Sequence, residues 1–469
     1  MYRTKTSLIF AKVYSHKVYS CKVRVMEKYY DREFQLAQLK DIQKKAFDEH
    51  SRMTLLKGRR RIGKTSLGHL AMNGADTVYL FVARKSESDL CEAFTGEIRS
   101  SLGIFVPDGV SHFRDIFGLL LSAGESRSFN LFIDEFQEFF YINREVFSEV
   151  QDIWDRMRKA SHVNLVFSGS TYTLMEKIFK DEHEPLFGRA DLTIDLEPFA
   201  TPVMKEILGD FKPRYSNDDL LALYCFTGGV PKYIELLMDN GRTDMASMVD
   251  YIVTPGSQFI DEGERILIQE FGKNYGTYFS ILGKIAGGDV TLPQIEGSLG
   301  GHSLGGQMKL LEEDYHLIAK KRPMRSGGNS KDVRFEISDV FLRFWFRYFY
   351  KYRSLIEIKN YKALGDIIKN DYTSFSGRIL ERWFRSKMME SQKYMEIGGW
   401  WKPVKGAGQN LQEVDIVAVD LNGVPRAWEV KRNKEKYSAA EFKPKVKQMA
   451  DKLFGGREIE FGCLSIEDM

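Results

Sequence analysis

The sequence lacks the features that would anchor a chain in a membrane or cross-link it. No run of about 18 apolar residues occurs, so we expect no membrane-spanning helix. The most apolar stretch, residues 341–350, is too short and is interrupted by two arginines. The four cysteines are scattered and form no C-x-x-C pair, so neither a zinc site nor a disulfide framework is expected. A reducing cytoplasm is therefore the expected compartment.

The chain also lacks a strong excess of one charge, with a net charge of +3. Six basic residues and no acid fall within residues 1–25, so the remainder carries a net charge of −3. Nucleic-acid binding by that remainder would have to come from local basic patches. The basic first segment has no continuous apolar core and no small-residue cleavage site, which argues against a secretory signal. We expect residues 1–26 to be an extension outside the fold; a transit peptide is the alternative.

What the chain does contain is a phosphate-binding loop. Residues 58–66, Gly-Arg-Arg-Arg-Ile-Gly-Lys-Thr-Ser, match G-x-x-x-x-G-K-[ST] in full. A strand-like apolar run precedes the loop and a helix-compatible run follows it. Glycines allow successive N–H groups to point at phosphate oxygens, while Lys64 reaches the β- and γ-phosphates and Thr65 holds Mg²⁺. The residues expected to bind ATP are Gly58, Arg59, Arg60, Arg61, Ile62, Gly63, Lys64, Thr65, Ser66 and Asp134. The alternative is a chance glycine-rich turn before a helix.

A second nucleotide motif is an apolar run that ends in Asp134 and Glu135. Ligands of open α/β sheets bind at the carboxyl ends of the strands, so both acids are expected beside the loop. Asp134 would orient the Mg²⁺ shell, and Glu135 would orient and deprotonate the attacking water. Ser168 or Ser170, ending the next strand, would sense the γ-phosphate or simply form a turn. Arg189 is a candidate finger that stabilises charge, with an exposed ion-paired arginine as the alternative.

Strands alternate with helices from residue 50 to 200, which predicts an α/β domain over residues 27–200 with a parallel sheet and helices on both faces. If the chain resembles P-loop ATPases, residues 29–33 would pack on the nucleotide base; the alternative is an N-cap at Asp31 followed by a surface helix. Residues 201–258 are predicted to form a helical lid containing the Gly-Val-Pro element at 229–231. With the loop, the Asp134 strand and Gly188-Arg189, this element resembles the archaeal-type P-loop ATPases of the AAA+/STAND assemblage. In that family the corresponding element lies near the nucleotide.

Residues 259–356 are predicted to form a winged helix, with three helices followed by two strands at 317–322 and 333–337. Five basic residues near the predicted wing favour contact with DNA phosphates, and a purely structural role is the alternative. They are Lys320, Lys321, Arg322, Arg325 and Lys331. The aromatic run at 341–350 is predicted to be a buried helix, with stacking on nucleic acid as the alternative.

The last predicted domain, residues 357–469, contains a hairpin whose register decides its chemistry. A two-residue Asn422-Gly423 turn would place Asp415 opposite Val430, on the other face from Glu429. A three-residue loop would place Asp415 opposite Glu429. Lys431 shares a face with Glu429 in either case. The second register brings two carboxylates and a lysine together, a reasonable Mg²⁺ site in which Lys431 positions or activates a water.

This D…E-x-K hairpin, after a helix bearing Glu381, resembles the PD-(D/E)XK nuclease fold. The resemblance implies a C-terminal α/β nuclease-like domain in which Asp415, Glu429 and Lys431 are catalytic and Glu381, Asp415 and Glu429 bind metal. Val414 stands where the family usually has proline. The alternative is an exposed, ion-paired strand face. A basic rim around these acids favours a phosphate backbone. Its members are Lys402, Lys405, Lys431, Arg432, Lys434, Lys436, Lys443, Lys445 and Lys447.

The sequence thus predicts an Mg²⁺-dependent ATPase whose nucleotide state moves a lid, a winged helix and a nuclease-like domain acting on DNA. Its catalytic residues would be Lys64, Glu135 and Arg189, with metal held by Thr65 and Asp134. The first alternative is a regulatory switch with an inactive C-terminal binding domain. The second is a chaperone-like or signalling ATPase without nucleic acid. In a homo-oligomer, Arg189 would act on a neighbouring subunit.

Overall fold

The computed structural model describes residues 26–469 except for 27, 171, 272–274, 328–331 and 404–410. The predicted extension, apart from Met26, lies outside the described residues, as do Lys331 and Lys405. The strands form a five-stranded parallel sheet, a four-stranded mixed sheet and a two-stranded hairpin. In the part of the chain that is described, no helix has the length and apolar character needed to cross a bilayer.

The strands are, in chain order, β1 Arg52–Gly58, β2 Thr77–Phe81, β3 Phe129–Asp134, β4 Val163–Gly169, β5 Leu192–Leu196, β6 Ile318–Lys321, β7 Arg334–Ile337, β8 Tyr394–Pro403, β9 Leu411–Asp420, β10 Pro425–Lys431 and β11 Glu460–Ser465.

The α-helices are α1 Glu33–Asp48, α2 Lys64–Met72, α3 Glu87–Leu102, α4 Phe113–Ala123, α5 Phe139–Ile142, α6 Glu145–Met157, α7 Tyr172–Lys180, α8 Thr201–Phe211, α9 Asn217–Thr227, α10 Pro231–Asp239, α11 Met245–Ile252, α12 Gln258–Phe271, α13 Tyr275–Gly287, α14 Leu292–Ser298, α15 Gly305–Lys309, α16 Val340–Trp345, α17 Arg353–Glu357, α18 Tyr361–Glu390 and α19 Ala439–Phe454. Short 3₁₀ turns occur at Phe136–Glu138, Lys434–Lys436 and Ile466–Asp468, and π-helical turns extend α15 and α16 over Leu310–Asp314 and Phe346–Tyr350.

The first sheet has the order β2-β3-β4-β1-β5 with all strands parallel. Helices α1 and α2 pack on one face through residues such as Leu39 and Leu67, and α3, α4 and α6 cover the other face. Because both faces are covered, β3 and β4 are buried throughout, which explains their continuous apolar runs. The predicted parallel sheet with helices on both faces is confirmed.

The helical segment after β5 comprises α8 to α11, as expected for residues 201–258. Gly228 and Gly229 both have positive φ and separate α9 from α10. A Cβ on Gly229 would lie 2.8 Å from the carbonyl oxygen of Phe199, so a side chain there would collide with the end of the first sheet's domain. Pro231 begins α10, where its missing N–H is not needed.

Next come α13, α14 and α15, followed by the antiparallel pair β6–β7 with Ile318 opposite Ile337. This is the order predicted for a winged helix, and that assignment stays a prediction. The segment between the strands docks on β8, where the Met324 N–H donates to the Gly399 carbonyl at 2.8 Å. Arg325 pairs with Glu396 of β8 at 2.7 Å, so this arginine of the predicted wing is already engaged.

Helix α16 and its π-helical extension are buried, as predicted for the aromatic run. The Trp345 indole N–H donates to the Ile260 carbonyl at 2.7 Å, and Arg347 pairs with Asp371 at 2.7 Å. Because its aromatic rings lie in the core, the alternative of stacking on nucleic acid has no exposed surface here.

The C-terminal sheet has the order β11-β10-β9-β8, antiparallel except for the β10–β11 pair, with α19 between those two strands. Trp400 and Trp401 are both buried, in agreement with their interpretation as core residues. One continuous cluster of buried side chains joins the lid helices, the helices around the β6–β7 hairpin, and α18. The boundaries predicted at 258/259 and 356/357 therefore do not separate independent cores.

Candidate functional site

The phosphate-binding loop connects β1 to α2 in the conformation that its glycines allow. Gly58 has φ +149° and Gly63 has φ +93°, and Arg61 also lies in the left-handed region at +67°. A Cβ on Gly58 would lie 2.6 Å from the Leu196 carbonyl oxygen of β5, so only glycine fits there. Helix α2 begins at Lys64, which places its N-terminal N–H groups at the loop, as phosphate binding requires.

Lys64 is buried and held by the loop itself. Its Nζ donates to the carbonyls of Gly58 at 2.9 Å and Arg59 at 3.1 Å. Burial lowers the pKa of this ammonium to about 8, although the nearby carboxylates of Glu135 and Asp134 act in the opposite direction. The position and charge suit a lysine that contacts terminal phosphates.

Thr65 and Asp134 meet as the sequence predicted. The Thr65 hydroxyl donates to Asp134 Oδ2 at 2.7 Å, and the Tyr79 hydroxyl donates to the same oxygen at 3.0 Å. A hydroxyl and a carboxylate are oxygen ligands of the kind that Mg²⁺ prefers, usually together with waters and phosphate oxygens. The donor set therefore fits the predicted ion.

Glu135 follows Asp134 with a left-handed φ of +54°, so the chain turns sharply out of β3. Its Oε2 accepts hydrogen bonds from Ser170 at 2.6 Å and from Gln137 at 2.5 Å. Ser170 thus contacts the acid expected to activate water. Ser168 is buried in β4, and its hydroxyl has no hydrogen-bond partner among the described residues.

A cavity of about 420 Å³ opens beside the loop and is lined from three directions. Besides loop residues 60–66, Glu135 and Ser170, its walls include the segment before α1 and the lid. These further lining residues are Met26, Lys28, Tyr29, Tyr30, Arg32, Pro231, Lys232 and Glu235, together with Phe199 between β5 and α8.

Three residues of segment 29–33 lie beside the cavity, Tyr29, Tyr30 and Arg32, and α1 begins at Glu33. The Arg32 guanidinium lies 5.2 Å from the centre of the Phe199 ring, a cation–π arrangement. The Tyr30 hydroxyl donates to Asp210 at 2.9 Å and fixes the segment to α8. Sequence reasoning singled out this segment and residues 229–231, but assigned no site role to Arg32 or Phe199.

Two of the three loop arginines form ion pairs with residues that lie outside the sheet domain. Arg59 pairs with Asp339, at the start of α16, and burial lowers its pKa. Arg61 pairs with the buried Glu262 of α12 and donates to Gln258 at 3.2 Å. Arg60, Arg61, Ile62 and Ser66 line the cavity, and the Ile62 side chain also packs in the core. Both ion pairs therefore connect the loop to the segment predicted as a winged helix.

Arg189 does not line the cavity. Its guanidinium pairs with Asp155 of α6 at 2.9 Å and donates to the Pro185 carbonyl at 2.6 Å. These contacts match the alternative of an exposed, ion-paired arginine. They do not bring Arg189 to the nucleotide site of its own chain.

The C-terminal hairpin adopts the second of the two predicted registers. Pro425 pairs with Val419, which makes the loop three residues long and places Gly423 at φ +77°. The paired residues end at Trp428 opposite Ile416, and continuing this register by one residue sets Asp415 opposite Glu429. The carboxylate of Asp420 accepts from the N–H groups of the loop and so stabilises it.

The acids of this hairpin have partners within the protein. Glu429 Oε1 is paired with Lys431 at 3.1 Å and with Lys445 at 3.4 Å. Asp415 Oδ2 accepts from the Val430 N–H at 2.7 Å. Burial raises the pKa of Asp415 to about 7, and the charge of Glu381 acts in the same direction.

Glu381 is turned towards Arg385 at 2.6 Å, and Arg385 also donates to the main-chain oxygen of Asp415 at 2.6 Å. Among the described residues, no group of three or more acidic, histidine or cysteine side chains is arranged to hold a metal ion. The register thus sets Asp415 opposite Glu429, but the described residues do not assemble a full set of metal ligands.

The basic rim is only partly free. Five of its lysines are exposed: Lys402, Lys434, Lys436, Lys443 and Lys447. Arg432 pairs with Asp218 of the lid at 2.5 Å, and Lys445 is engaged by Glu429. The exposed members leave a basic surface beside the hairpin.

Comparison with known proteins supports the predicted ATPase segment but does not identify the C-terminal segment. Residues 29–237 match a family described as an ATPase domain predominantly from Archaea. Residues 345–443 match a family of archaeal and bacterial proteins of unknown function. The predicted ATPase resemblance is thus confirmed for the first segment, while the second match leaves the nuclease-like assignment a prediction.

Similar proteins cover most of the chain. An uncharacterized protein of Methanocaldococcus jannaschii is 26% identical over 396 residues, covering 82% of this chain and 83% of the relative. The Walker-type ATPase of Pyrococcus abyssi has a similar structure, with a TM-score of 0.53, 18% identity, and coverage of 69% of this chain and 97% of that one. The ORC2 protein of Aeropyrum pernix, in ADPNP and ADP complexes, is more distant, with a TM-score of 0.44, 9% identity, and coverage of 74% and 97%. The Pyrococcus structure supports a P-loop ATPase fold for the larger part of the chain.

Proposed function

We propose that this protein binds ATP with Mg²⁺, hydrolyses it, and passes the state of the nucleotide to its C-terminal half. The observation that carries the proposal is the contact between Thr65 and Asp134 at 2.7 Å, beside the buried Lys64. The family match over residues 29–237 supports the same activity.

The hydrolytic step uses water as the nucleophile. Glu135 takes a proton from the water while the oxygen of the water forms a bond to the γ-phosphorus. The bond between the γ-phosphorus and the β–γ bridging oxygen breaks. The electron pair leaves on ADP, and inorganic phosphate is the second product. Lys64 and the loop N–H groups stabilise the phosphate oxygens. Mg²⁺, held by Thr65 and Asp134, would neutralise charge on the β- and γ-phosphates.

Transmission of the nucleotide state is supported by the loop arginines. Arg59 pairs with Asp339 before α16, and Arg61 pairs with Glu262 of α12. The Tyr233 hydroxyl of α10 also donates to Glu262 at 3.2 Å. A shift of the loop on nucleotide binding would therefore act directly on helices outside the sheet domain.

The substitution Glu135→Gln tests the hydrolytic role. It should lower ATP turnover by at least about 100-fold because the general base is lost, while the ATP dissociation constant stays within about twofold. Glu92→Gln, on the exposed face of α3, is the matched control and should hydrolyse ATP at the wild-type rate. Continued turnover by Glu135→Gln would show that another group activates the water.

For the C-terminal hairpin we propose Mg²⁺-dependent cleavage of DNA. Asp415, Glu429 and Glu381 would hold the ion, which would polarise the scissile phosphate, and Lys431 would position a water. The observed register and the exposed lysines of the rim support this proposal. Binding of the ion would require Glu429 and Glu381 to leave their present lysine and arginine partners.

The test is a nicking assay on single- and double-stranded DNA, with ATP turnover followed in the same tubes. Asp415→Ala and Lys431→Ala should each abolish Mg²⁺-dependent cleavage, whereas Arg426→Ala, on the same strand, should not. The pKa of Asp415 is raised to about 7, so its ionised, metal-binding form is lost below that value. Cleavage should therefore increase as the pH rises through 7.

A second candidate is a regulatory switch whose C-terminal domain only binds. The pairing of Glu429 with Lys431 and Lys445, and of Glu381 with Arg385, favours it because these acids are already neutralised. Wild-type protein that hydrolyses ATP but never nicks DNA would support this candidate. A turnover rate that DNA leaves unchanged would instead favour a signalling ATPase without nucleic acid.

A further inference from the structure

One oxygen of the Glu135 carboxylate accepts hydrogen bonds from two donors, the buried Gln137 and the half-buried Ser170. Gln137 Nε2 lies 2.5 Å from Oε2, and Ser170 Oγ lies 2.6 Å from the same oxygen. Gln137 belongs to the 3₁₀ turn that follows Glu135, and its side chain is completely buried. Ser170 follows the end of β4, the strand beside β3.

The packing around Gln137 leaves it little freedom to move. A Cβ on Gly169 would overlap both Gln137 Oε1 and the thioether of Met175, so the glycine makes room for the amide. Gln137 Oε1 is itself buried and has no hydrogen-bond partner among the described residues. The amide is thus kept in the core without full satisfaction of its acceptor, which costs stability. Among the described residues, the side chain of Gln137 hydrogen-bonds to Glu135 alone.

The backbone of Glu135 adds to this constraint. Its φ of +54° is uncommon for a residue with a side chain and costs about 1 kcal/mol or more. Such conformations persist where the surroundings enforce them, and they cluster at functional sites. Here the N–H of Glu135 donates to Asp134 Oδ1 at 3.0 Å. The main chain of Glu135 is therefore fixed by this bond, and its side chain by Gln137 and Ser170.

We propose that Gln137 and Ser170 are positioning residues that together fix the Glu135 carboxylate for proton transfer. Both donors bind Oε2, and no hydrogen bond to Oε1 is made by the residues that the structure describes. Oε1 is then the atom that takes the proton of the attacking water. This inference rests on the proposed ATP hydrolysis and assigns Ser170 to the general base rather than to sensing of the γ-phosphate.

The two roles of Ser170 differ in their kinetics. A phosphate sensor contacts the nucleotide, so its loss alters the affinity for ATP. A positioning residue acts only through Glu135, so its loss lowers kcat and leaves KM nearly unchanged. Because Gln137 lies in the core beneath Gly169, it should behave in the same way without touching the nucleotide.

Steady-state ATP turnover of Ser170→Ala and Gln137→Met tests the proposal. Each should lower kcat about tenfold with KM within about twofold, because a mispositioned base loses part of its contribution. Ser170→Thr keeps the hydroxyl and should retain most of the activity. The double variant should approach the rate of Glu135→Gln, and neither change should slow Glu135→Gln further, as expected for groups that act through one residue. Gln151→Met, on α6, is the matched control and should match wild type.

Wild-type kcat in either single variant, or a rise in KM alone, overturns the proposal. Further slowing of Glu135→Gln by the second substitutions also overturns it, because that would show a role independent of the carboxylate. If the wild-type protein does not hydrolyse ATP, the proposed function fails. Crystal structures of the wild type and the double variant then test whether Gln137 and Ser170 position the Glu135 carboxylate. A Glu135 carboxylate that moves in the double variant supports the positioning role, and one that keeps its wild-type position overturns it.

Discussion

Lys64 shows how burial and neighbouring charges act on a single residue in opposite directions. Burial lowers its pKa to about 8, while Glu135 and Asp134 favour the charged form. The main-chain oxygens of Gly58 and Arg59 accept its hydrogen bonds. Because the lysine must be charged to attract a terminal phosphate, nucleotide binding should depend on pH near this value.

We expect kcat/KM for ATP to fall as the pH rises through about 8. The lowered pKa means that free protein loses the Lys64 charge above that pH, whereas bound phosphates stabilise the charge, so kcat should hold to higher pH. Rate profiles over about two pH units on either side measure both parameters. Lys64→Arg stays charged throughout this range, so an alkaline fall that survives in it belongs to another group. A flat wild-type kcat/KM would contradict the expectation.

The residues that sequence reasoning located are those whose roles follow from local spacing. Lys64, Thr65, Asp134 and Glu135 belong to short motifs next to a strand, and the structure brings them together. The role of Gln137 depends on packing against Gly169 across the sheet, which no local pattern encodes.

Among the elements, the strands buried on both faces were the most predictable. Strands β3 and β4 are continuous apolar runs because helices cover both sides of the sheet there, whereas burial alternates along the edge strand β2. Strands β8 and β11 were not predicted, and both are edge strands of their sheet. Strand β8 also shifts register twice against β9, which breaks its alternation, and β11 is largely half-buried. For the hairpin β9–β10, the sequence left two possible registers. The observed register is the one that was predicted to have Gly423 in the left-handed region.

The contact between the loop and α12 provides a test at this scale. Glu262 is 1% exposed and paired with Arg61, so Arg61→Met leaves a buried carboxylate without its cation. This change should lower the free energy of unfolding by about 3 kcal/mol or more. The double variant Arg61→Met with Glu262→Gln should recover much of the loss because the buried charge is gone.

Denaturant unfolding of the wild type, Arg61→Met, Glu262→Gln and the double variant gives the coupling energy between the two residues. Arg156→Met breaks an exposed pair with Asp152 on α6 and should cost less than about 1 kcal/mol. Equal losses in Arg61→Met and Arg156→Met would show that the loop does not depend on α12.

At the scale of the whole molecule, the candidate nucleotide site and the C-terminal hairpin are linked through the lid. Arg432, directly after β10, pairs with Asp218 at the start of α9. The Tyr372 hydroxyl of α18 donates to the same carboxylate at 2.8 Å, and its ring lies 4.8 Å from the guanidinium. The order of segments along the chain could be predicted from motifs, but this docking joins residues more than 200 positions apart and has no local signature.

Arg432 should therefore carry part of the coupling between ATP and the C-terminal sheet. In a Glu135→Gln background, which is expected to hold ATP without hydrolysing it, addition of ATP should change amide hydrogen exchange in β10. Arg432→Met should reduce that change about fivefold or more, because a coupling free energy of this size is typical of linked sites. Arg426 lies on β10, and Arg426→Met, which removes its pairs with Asp420 of β9 and Glu460 of β11, should preserve the response to ATP. An equal response in all three proteins would show that nucleotide state reaches the hairpin by another route, or that the lid does not move when ATP binds.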